Sequence, residues 1–211
     1  MTKNQEVNGQ NMKLFLTSTA ANVMDKIVPQ LSKKPEDSLV AFIPTAGDVY
    51  DETPWIEEDR EKLKNLKFKI KDLDLKEETQ ADIEAALSNV DIVFVAGGNT
   101  FYLLEKIKAS SFDVVLKNII DNIVYIGSSA GSVVAGPDIK PVEIFDDREA
   151  ALLDNTNGLG FVDFVVLPHF GKEKYGPYHE KVVKEYGDKL KIIPLTDEQY
   201  IIADDNGFKV I

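Results

Sequence analysis

The sequence predicts an α/β fold, a mostly parallel sheet flanked by helices, and three observations carry that prediction. Short β-branched and aromatic runs alternate with longer amphipathic stretches along the whole chain from Met12, the pattern of repeated strand–helix units. Two of the runs, Leu39–Ile43 and Ile92–Val95, are continuously apolar, as strands buried on both faces of a parallel sheet are. A third run, 123–126, ends abruptly in Gly127-Ser128-Ser129-Ala130-Gly131 before apolar residues resume, which reads as a strand, a sharp turn and a helix start.

Taken in order, 14–17 form a short strand, and Ser18-Thr19-Ala20-Ala21-Asn22 supplies small capping residues before an amphipathic helix reaching about residue 31. A polar turn at 33–37 leads into the strand Leu39–Ile43, which is left through the loop Pro44-Thr45-Ala46-Gly47-Asp48. Residues 54–66 are charged with apolar positions at helical spacing, and Pro54 suits a first turn. Residues 67–71 alternate like a half-exposed strand. A helix over 77–87 and the strand Ile92–Val95 precede Ala96-Gly97-Gly98-Asn99-Thr100, and helices over 101–108 and 111–120 follow.

Beyond the Ser129 turn, Pro137 ends the apolar stretch 133–136 early. Residues 138–160 read as loop, with Asp146, Asp147, Arg148 and Glu149 exposed or at the edge of a site. A strand over 162–167 closes on Pro168-His169-Phe170; 178–186 read as a charged helix and 190–195 as a strand. The chain finishes in a β-hairpin, 199–203 and 208–211, around Asp204-Asp205-Asn206-Gly207. No repeat or linker divides 12–211, so one α/β domain is expected, while 1–11 are polar and aperiodic and read as a disordered or loosely held tail.

Composition narrows the function. The 211 residues carry a net charge of −12, a field that repels phosphate backbones and anionic lipid surfaces, so neither nucleic acid nor membrane is expected as a partner. No apolar run approaches the roughly 18 residues that a bilayer span needs. Cysteine is absent, which removes disulfides, thiolate metal sites and thiol nucleophiles and points most simply to the cytoplasm. With no G-x-G-x-x-G or Walker pattern and no metal-ligand set, no cofactor is expected.

What remains is chemistry at strand ends. Gly127-Ser128-Ser129-Ala130-Gly131 fits G-x-S-x-G, the nucleophile elbow, in which small flanking residues let the backbone lift the central hydroxyl clear of the sheet. Ser129 is therefore the candidate nucleophile, a plain Gly/Ser turn being the alternative. A serine needs a base to take its proton, and the usual base is a histidine oriented by a carboxylate. Of the two histidines, His169 follows an apolar strand, whereas His179 sits in a charged helical stretch and is expected to be solvated. Asp197 follows the strand at 190–195 and is the candidate acid, with Glu198 as its understudy; Asp146 and Asp147, which an α/β-hydrolase order of Ser, Asp, His would promote, rank second. All of these follow apolar strands, so Ser129, His169 and Asp197 are expected to meet at one sheet edge. For a developing oxyanion, the backbone N–H of Ala130 is one donor and that of Gly98, at the end of a neighbouring strand, is the second.

Together, Ala96-Gly97-Gly98-Asn99-Thr100-Phe101, Gly127-Ser128-Ser129-Ala130-Gly131, Pro168-His169-Phe170 and Thr196-Asp197 resemble the dipeptidase E (alpha-aspartyl dipeptidase) group of serine peptidases, kin to the cyanophycinases, in peptidase family S51. The resemblance covers nearly the whole chain from Met12. It implies a fold like class I glutamine amidotransferases, a flavodoxin-like three-layer sandwich, with serine replacing their cysteine. It also implies Ser129 as nucleophile, His169 as base, Asp197 as orienting acid, Gly98 and Ala130 as oxyanion donors, and a small peptide as substrate. Members that cut after an N-terminal aspartate carry an arginine a little beyond the histidine; here 171–179 contain none, and only Lys172 and Lys174 are at hand. Lysine lacks the planar fork that reads a carboxylate, so aspartyl specificity is not expected. Two other readings stay open on the residues alone: an α/β-hydrolase-type esterase, and a non-catalytic flavodoxin-like protein whose loops hold a small ligand.

Overall fold

The computed structural model describes residues 12–211, and the tail expected at 1–11 lies outside the described residues. Its strands are β1 (Lys13–Thr17), β2 (Leu39–Ile43), β3 (Lys69–Asp72), β4 (Ile92–Val95), β5 (Val124–Ser128), β6 (Val165–Leu167), β7 (Ile192–Pro194), β8 (Tyr200–Asp204) and β9 (Gly207–Val210). The helices are α1 (Ala20–Ile27), α2 (Pro54–Asn65), α3 (Gln80–Leu87), α4 (Thr100–Ala109), α5 (Phe112–Ile119), α6 (Ala130–Val133) and α7 (Gly176–Tyr186). A seven-stranded sheet runs in the order β3-β2-β4-β5-β1-β8-β9. The first five are mutually parallel, and the C-terminal hairpin of β8 and β9 adds on antiparallel to β1.

Side-chain alternation along the strands builds the layers. Leu14, Leu16, Val93 and Val95 face one side, where Ile83 of α3, Leu104 of α4 and Leu116 of α5 cover them. Phe15, Phe42, Phe94 and Ile126 face the other, against Val23 and Ile27 of α1 and Ile56 and Leu63 of α2. The result is the expected α/β architecture, with helices on both faces. Helix boundaries follow local chemistry: Thr79 and Asp82 form a reciprocal capping box that starts α3, and Asn99 accepts from the Tyr102 N–H to start α4. The α3 helix thus begins at Gln80, later than the expected 77, because Thr79 caps it.

Two neighbouring strands decide where function collects. The chain leaves β1 toward α1 on one face and leaves β5 toward α6 on the other. Their carboxyl ends therefore flank a crevice, the position where open α/β sheets hold ligands.

The expected single sheet edge is corrected by the structure. His169 and Asp197 follow β6 and β7, which pair with each other in parallel as a separate two-stranded sheet. Both strands are shorter than the sequence suggests. Segment 158–162 spends its N–H groups on carbonyls around the end of α6, with Leu159 donating to Val134 and Phe161 to Ala135. That leaves only Val165–Leu167 to pair as strand. Among the described residues no helix is long and apolar enough to cross a membrane.

Candidate active site

The turn after β5 is built by stitching it to β1. The Ser129 N–H donates to the Thr17 carbonyl at 3.0 Å, and Thr17 Oγ1 donates to the Gly127 carbonyl at 2.8 Å. Ser132 Oγ accepts from the Thr17 N–H at 2.8 Å, closing the stitch from the α6 side. These bonds hold Ser129 at φ 48°, ψ −108°, a sparsely populated conformation of the kind that costs on the order of 1–3 kcal/mol and must be over-determined by its surroundings. Gly131 is required by close approach: a Cβ there would lie 2.1 Å from the Val95 carbonyl oxygen. A side chain at 131 would push the elbow away from β4.

Ser129 Oγ lies 3.0 Å from His169 Nε2, and His169 Nδ1 lies 2.8 Å from Asp197 Oδ1. An ionised carboxylate only accepts, so Nδ1 carries the ring proton and the Nε2 lone pair faces the hydroxyl. His169 also takes a positive φ of 60°, and its ring stacks on Tyr175 at 5.2 Å between centroids and 23° between planes. Burial depresses the His169 pKa below its ordinary value; the Asp197 hydrogen bond opposes that shift, and Lys172 and Lys174 reinforce it. The imidazole is thus neutral at neutral pH. For Asp197, burial alone pushes upward, but donors from Lys172, Ser18 and His169 outweigh it and hold the carboxyl at about 2.

Two of those donors are not legible in the motifs. Ser18, 1% exposed, closes β1 and points at the same carboxylate: its Oγ donates to Asp197 Oδ1 at 2.5 Å and accepts from the His169 backbone N–H at 2.7 Å. The one signal for it is its place immediately after a strand. Lys172 pairs with Asp197 Oδ2, so one of the two lysines at hand in the 171–179 segment is committed to the carboxylate.

The remaining expected residues divide cleanly. Glu198 accepts from Asn22 at 3.1 Å and stands away from the histidine. Asp146 accepts from the Thr100 N–H at 2.9 Å and from the Thr100 hydroxyl, at the start of α4, and burial lifts its pKa to about 6. Asp147 caps the Glu149 N–H at 2.9 Å. Neither is the partner of His169. Gly98, at φ +147°, follows β4 in a loop beside Ser129, where a Cβ would strike the Ala46 carbonyl at 2.1 Å. Its N–H and that of Ala130 donate to no group among the described residues.

His179 corrects an expectation. It is 2% exposed, not solvated, because α7 carries one buried stripe, His179, Val182 and Tyr186, beneath its charged face. Its Nε2 lies 2.9 Å from the Pro168 carbonyl, so the ring donates there and braces the residue before His169; burial lowers its pKa. Asp59 of α2 is a second buried group that the motifs did not flag. It accepts from the Ala21 N–H at 2.8 Å and is hydrogen-bonded to Ser128, and burial raises its pKa to about 7.

A cavity of about 870 Å³ opens over these groups, lined by Ser18, Gly97, Gly98, Ser129, His169 and Asp197 on its floor and by Tyr50, Trp55, Phe145, Asp146, Tyr175 and Tyr178 on its walls. Its size matches sites for small ligands. No cluster of His, Asp or Glu with metal-holding geometry occurs among the described residues.

The family model described as Peptidase family S51 matches residues 14–211. The chain belongs to that family. It is 33% identical over 190 residues to the uncharacterized peptidase Lmo0363 of Listeria monocytogenes, covering 89% of this chain and 92% of that protein. A crystal structure of a candidate peptidase E from Listeria monocytogenes EGD-e superposes with a TM-score of 0.88 at 30% identity, covering 95% of this chain and 98% of the other. The probable alpha-aspartyl dipeptidase of Drosophila melanogaster is 28% identical over 152 residues, 71% of this chain and 60% of that protein. This S51 member is accordingly a peptidase, and its mostly parallel sheet with a C-terminal hairpin is the peptidase E fold.

Proposed function

We propose that the protein is a serine-type dipeptidase of the peptidase E kind, acting through an acyl-enzyme on small peptides. The observation that carries this reading is the 3.0 Å approach of Ser129 Oγ to His169 Nε2, with Asp197 behind the ring. A ligand-binding module has no use for that distance. In the reaction, Ser129 Oγ attacks the scissile carbonyl carbon while its proton passes to His169 Nε2. Asp197 holds the imidazole in the competent tautomer and stabilises the imidazolium. The N–H groups of Gly98 and Ala130 take the negative charge of the tetrahedral oxygen, and as fixed backbone donors they need no reorganisation. His169 then protonates the departing amine, leaving an ester on Ser129. Water, deprotonated by the same ring, hydrolyses the ester and restores the enzyme.

A cavity of about 870 Å³ is of a size to hold a small peptide. Aspartyl specificity is not part of the proposal: the histidine-side loop has no arginine from 171 to 179, Lys172 is committed to Asp197, and Glu58, Asp146 and Asp147 already line the cavity. The test is labelling by a small fluorophosphonate together with dipeptide hydrolysis. Wild-type protein is expected to be labelled, and Ser129→Ala is not. Ser129→Ala and His169→Ala should each lower kcat by about 10⁴–10⁶-fold while remaining folded, because such residues act as a unit. If either variant keeps more than about a tenth of wild-type turnover, its assigned role is wrong.

A further inference from the structure

We propose that Trp55 is a positioning residue for the oxyanion site: its indole N–H fixes the peptide between Gly97 and Gly98 so that the Gly98 N–H faces the reacting carbonyl. The inference rests on the acyl-transfer reading of Ser129 and goes beyond it to the residue that aims one of its donors.

The 97–98 peptide needs an anchor. Both its ends are glycines, Gly98 stands at φ +147°, and with no Cβ on either side the plane between them can turn over at little steric cost. The neighbouring peptides are pinned, since the Ala96 N–H donates to the Ile43 carbonyl at 3.0 Å and the Asn99 N–H to the Ala46 carbonyl at 2.8 Å. Neither bond touches the 97–98 plane. Trp55 does, through its Nε1–H, which donates to the Gly97 carbonyl at 3.1 Å.

In a trans peptide the C=O and the following N–H point in opposite directions. With its oxygen held on the Trp55 side, the plane sends the Gly98 N–H away from the indole. Turned over, it would present a carbonyl oxygen where the tetrahedral intermediate carries its negative charge, and a donor would become a repelling dipole. Location agrees with this role. A Cβ built at Gly97 would come 3.2 Å from Ser129 Cβ and 3.7 Å from Trp55 Cδ1, and Trp55, Gly97, Gly98 and Ser129 line one cavity. Gly97 is buried, and a buried carbonyl left without a partner is costly. Trp55 is itself held: it is the second residue of α2, after Pro54, and Tyr50 packs edge-on against it at 5.4 Å between centroids and 89° between planes.

Packing alone, as cavity wall and partner for Tyr50, is the purely structural role, and two substitutions set the roles against each other. Trp55→Phe keeps an apolar ring and loses the donor. Trp55→His gives up ring size but carries Nε2 at the same place in its five-membered ring as the indole Nε1, and its neutral form can hold a proton there. The primary readout is the second-order rate of Ser129 labelling by a small fluorophosphonate, whose phosphoryl oxygen uses the same donors; kcat and KM for Ala-Leu follow. Trp55→Phe should slow labelling and lower kcat by roughly 10- to 100-fold, against the about 10²–10³-fold cost of losing an oxyanion donor outright. KM and melting temperature should stay near those of wild type. Trp55→His should label faster than Trp55→Phe, whereas a packing role predicts the reverse order, because phenylalanine fills more of the indole's space. A Trp55→Phe rate within about threefold of wild type, or a Trp55→His rate no higher than that of Trp55→Phe, overturns the assignment and leaves the Ser129 reading standing. Absence of label on wild-type protein would remove the proposed function and this inference with it.

Discussion

The hydroxyl of Ser18 accepts from the backbone N–H of His169 at 2.7 Å, joining the end of β1 in the main sheet to the loop after β6 in the small one. The same oxygen donates to Asp197 at 2.5 Å, so one buried side chain ties together three segments that arrive from two sheets. His169 is held in a left-handed backbone conformation, which needs such an external tether to persist.

Ser18→Ala is therefore expected to lower kcat by about 10- to 100-fold with a small change in KM, since hydrogen bonds to charged groups contribute roughly 1.5–3 kcal/mol. Ser18→Thr, which keeps the hydroxyl, should recover most of the loss. Steady-state kinetics of both variants decide the matter, and an alanine variant with unaltered kcat would show that Ser18 is idle.

The pH dependence follows from His169. Asp197 sits at about 2, so of the Ser129, His169 and Asp197 set only the imidazole titrates on the acid side of the working range. Burial lowers the His169 pKa, and the acid limb of kcat/KM should fall below the ordinary histidine value of about 6.5. Lys172 adds to the lowering, because its positive charge disfavours the imidazolium. Lys172→Met should consequently move the acid limb to higher pH. A limb that stays put, or moves to lower pH, would contradict the placement of that charge.

The sequence made most of the main sheet legible for a physical reason: β2 and β4 are buried on both faces, so every residue in them is apolar and the run cannot be mistaken. The elbow was legible because only small residues fit where Gly131 packs on Val95. What could not be read was the second sheet. Phe164, Val165 and Val166 are as apolar as a long central strand, and only their hydrogen-bond partners, far along the chain, reveal a three-residue strand. Ser18 and Lys172 were hidden for the same reason, since their significance lies in a carboxylate about 180 and 25 positions away along the chain, and contacts at that separation leave no local pattern. The burial of His179 was hidden because the four charged residues of α7, Glu180, Lys181, Lys184 and Glu185, mask a buried stripe at helical spacing.

Asp59 supplies a stability test with a definite sign. Its carboxyl is raised to about 7 in the folded protein by burial, against an ordinary value of about 4 in the unfolded chain. Between those values the folded state binds the extra proton, so this group's contribution to stability falls as pH rises from about 4 to about 7 and is flat beyond. Asp59→Asn cannot ionise and keeps an acceptor for the Ala21 N–H. The melting temperature of the variant minus that of the wild type should therefore be greater at pH 8 than at pH 5. A difference that shrinks over that interval would mean Asp59 is ionised and well compensated.

The choice of first residue in the substrate follows from the charges around the cavity. An N-terminal aspartate would bring a carboxylate into a site already lined by Glu58, Asp146 and Asp147, on a chain of net charge −12. Its natural reader would be a fixed bidentate cation. None is supplied between 171 and 179, where Lys172 is occupied by Asp197 and Lys174 rests on Tyr175. A missing charge-assisted contact of roughly 1.5–3 kcal/mol corresponds to about 10- to 150-fold in discrimination. Neutral first residues should thus compete well, with Tyr50, Trp55 and Tyr178 offering apolar wall to their side chains. The comparison is kcat/KM for Asp-Leu, Asn-Leu and Ala-Leu at one ionic strength. Asn-Leu and Ala-Leu are expected to equal or exceed Asp-Leu, and Lys174→Met should leave that order unchanged. An Asp-Leu preference above about a hundredfold that survives replacement of both lysines would place an unrecognised anion reader in the cavity and overturn this account of the pocket.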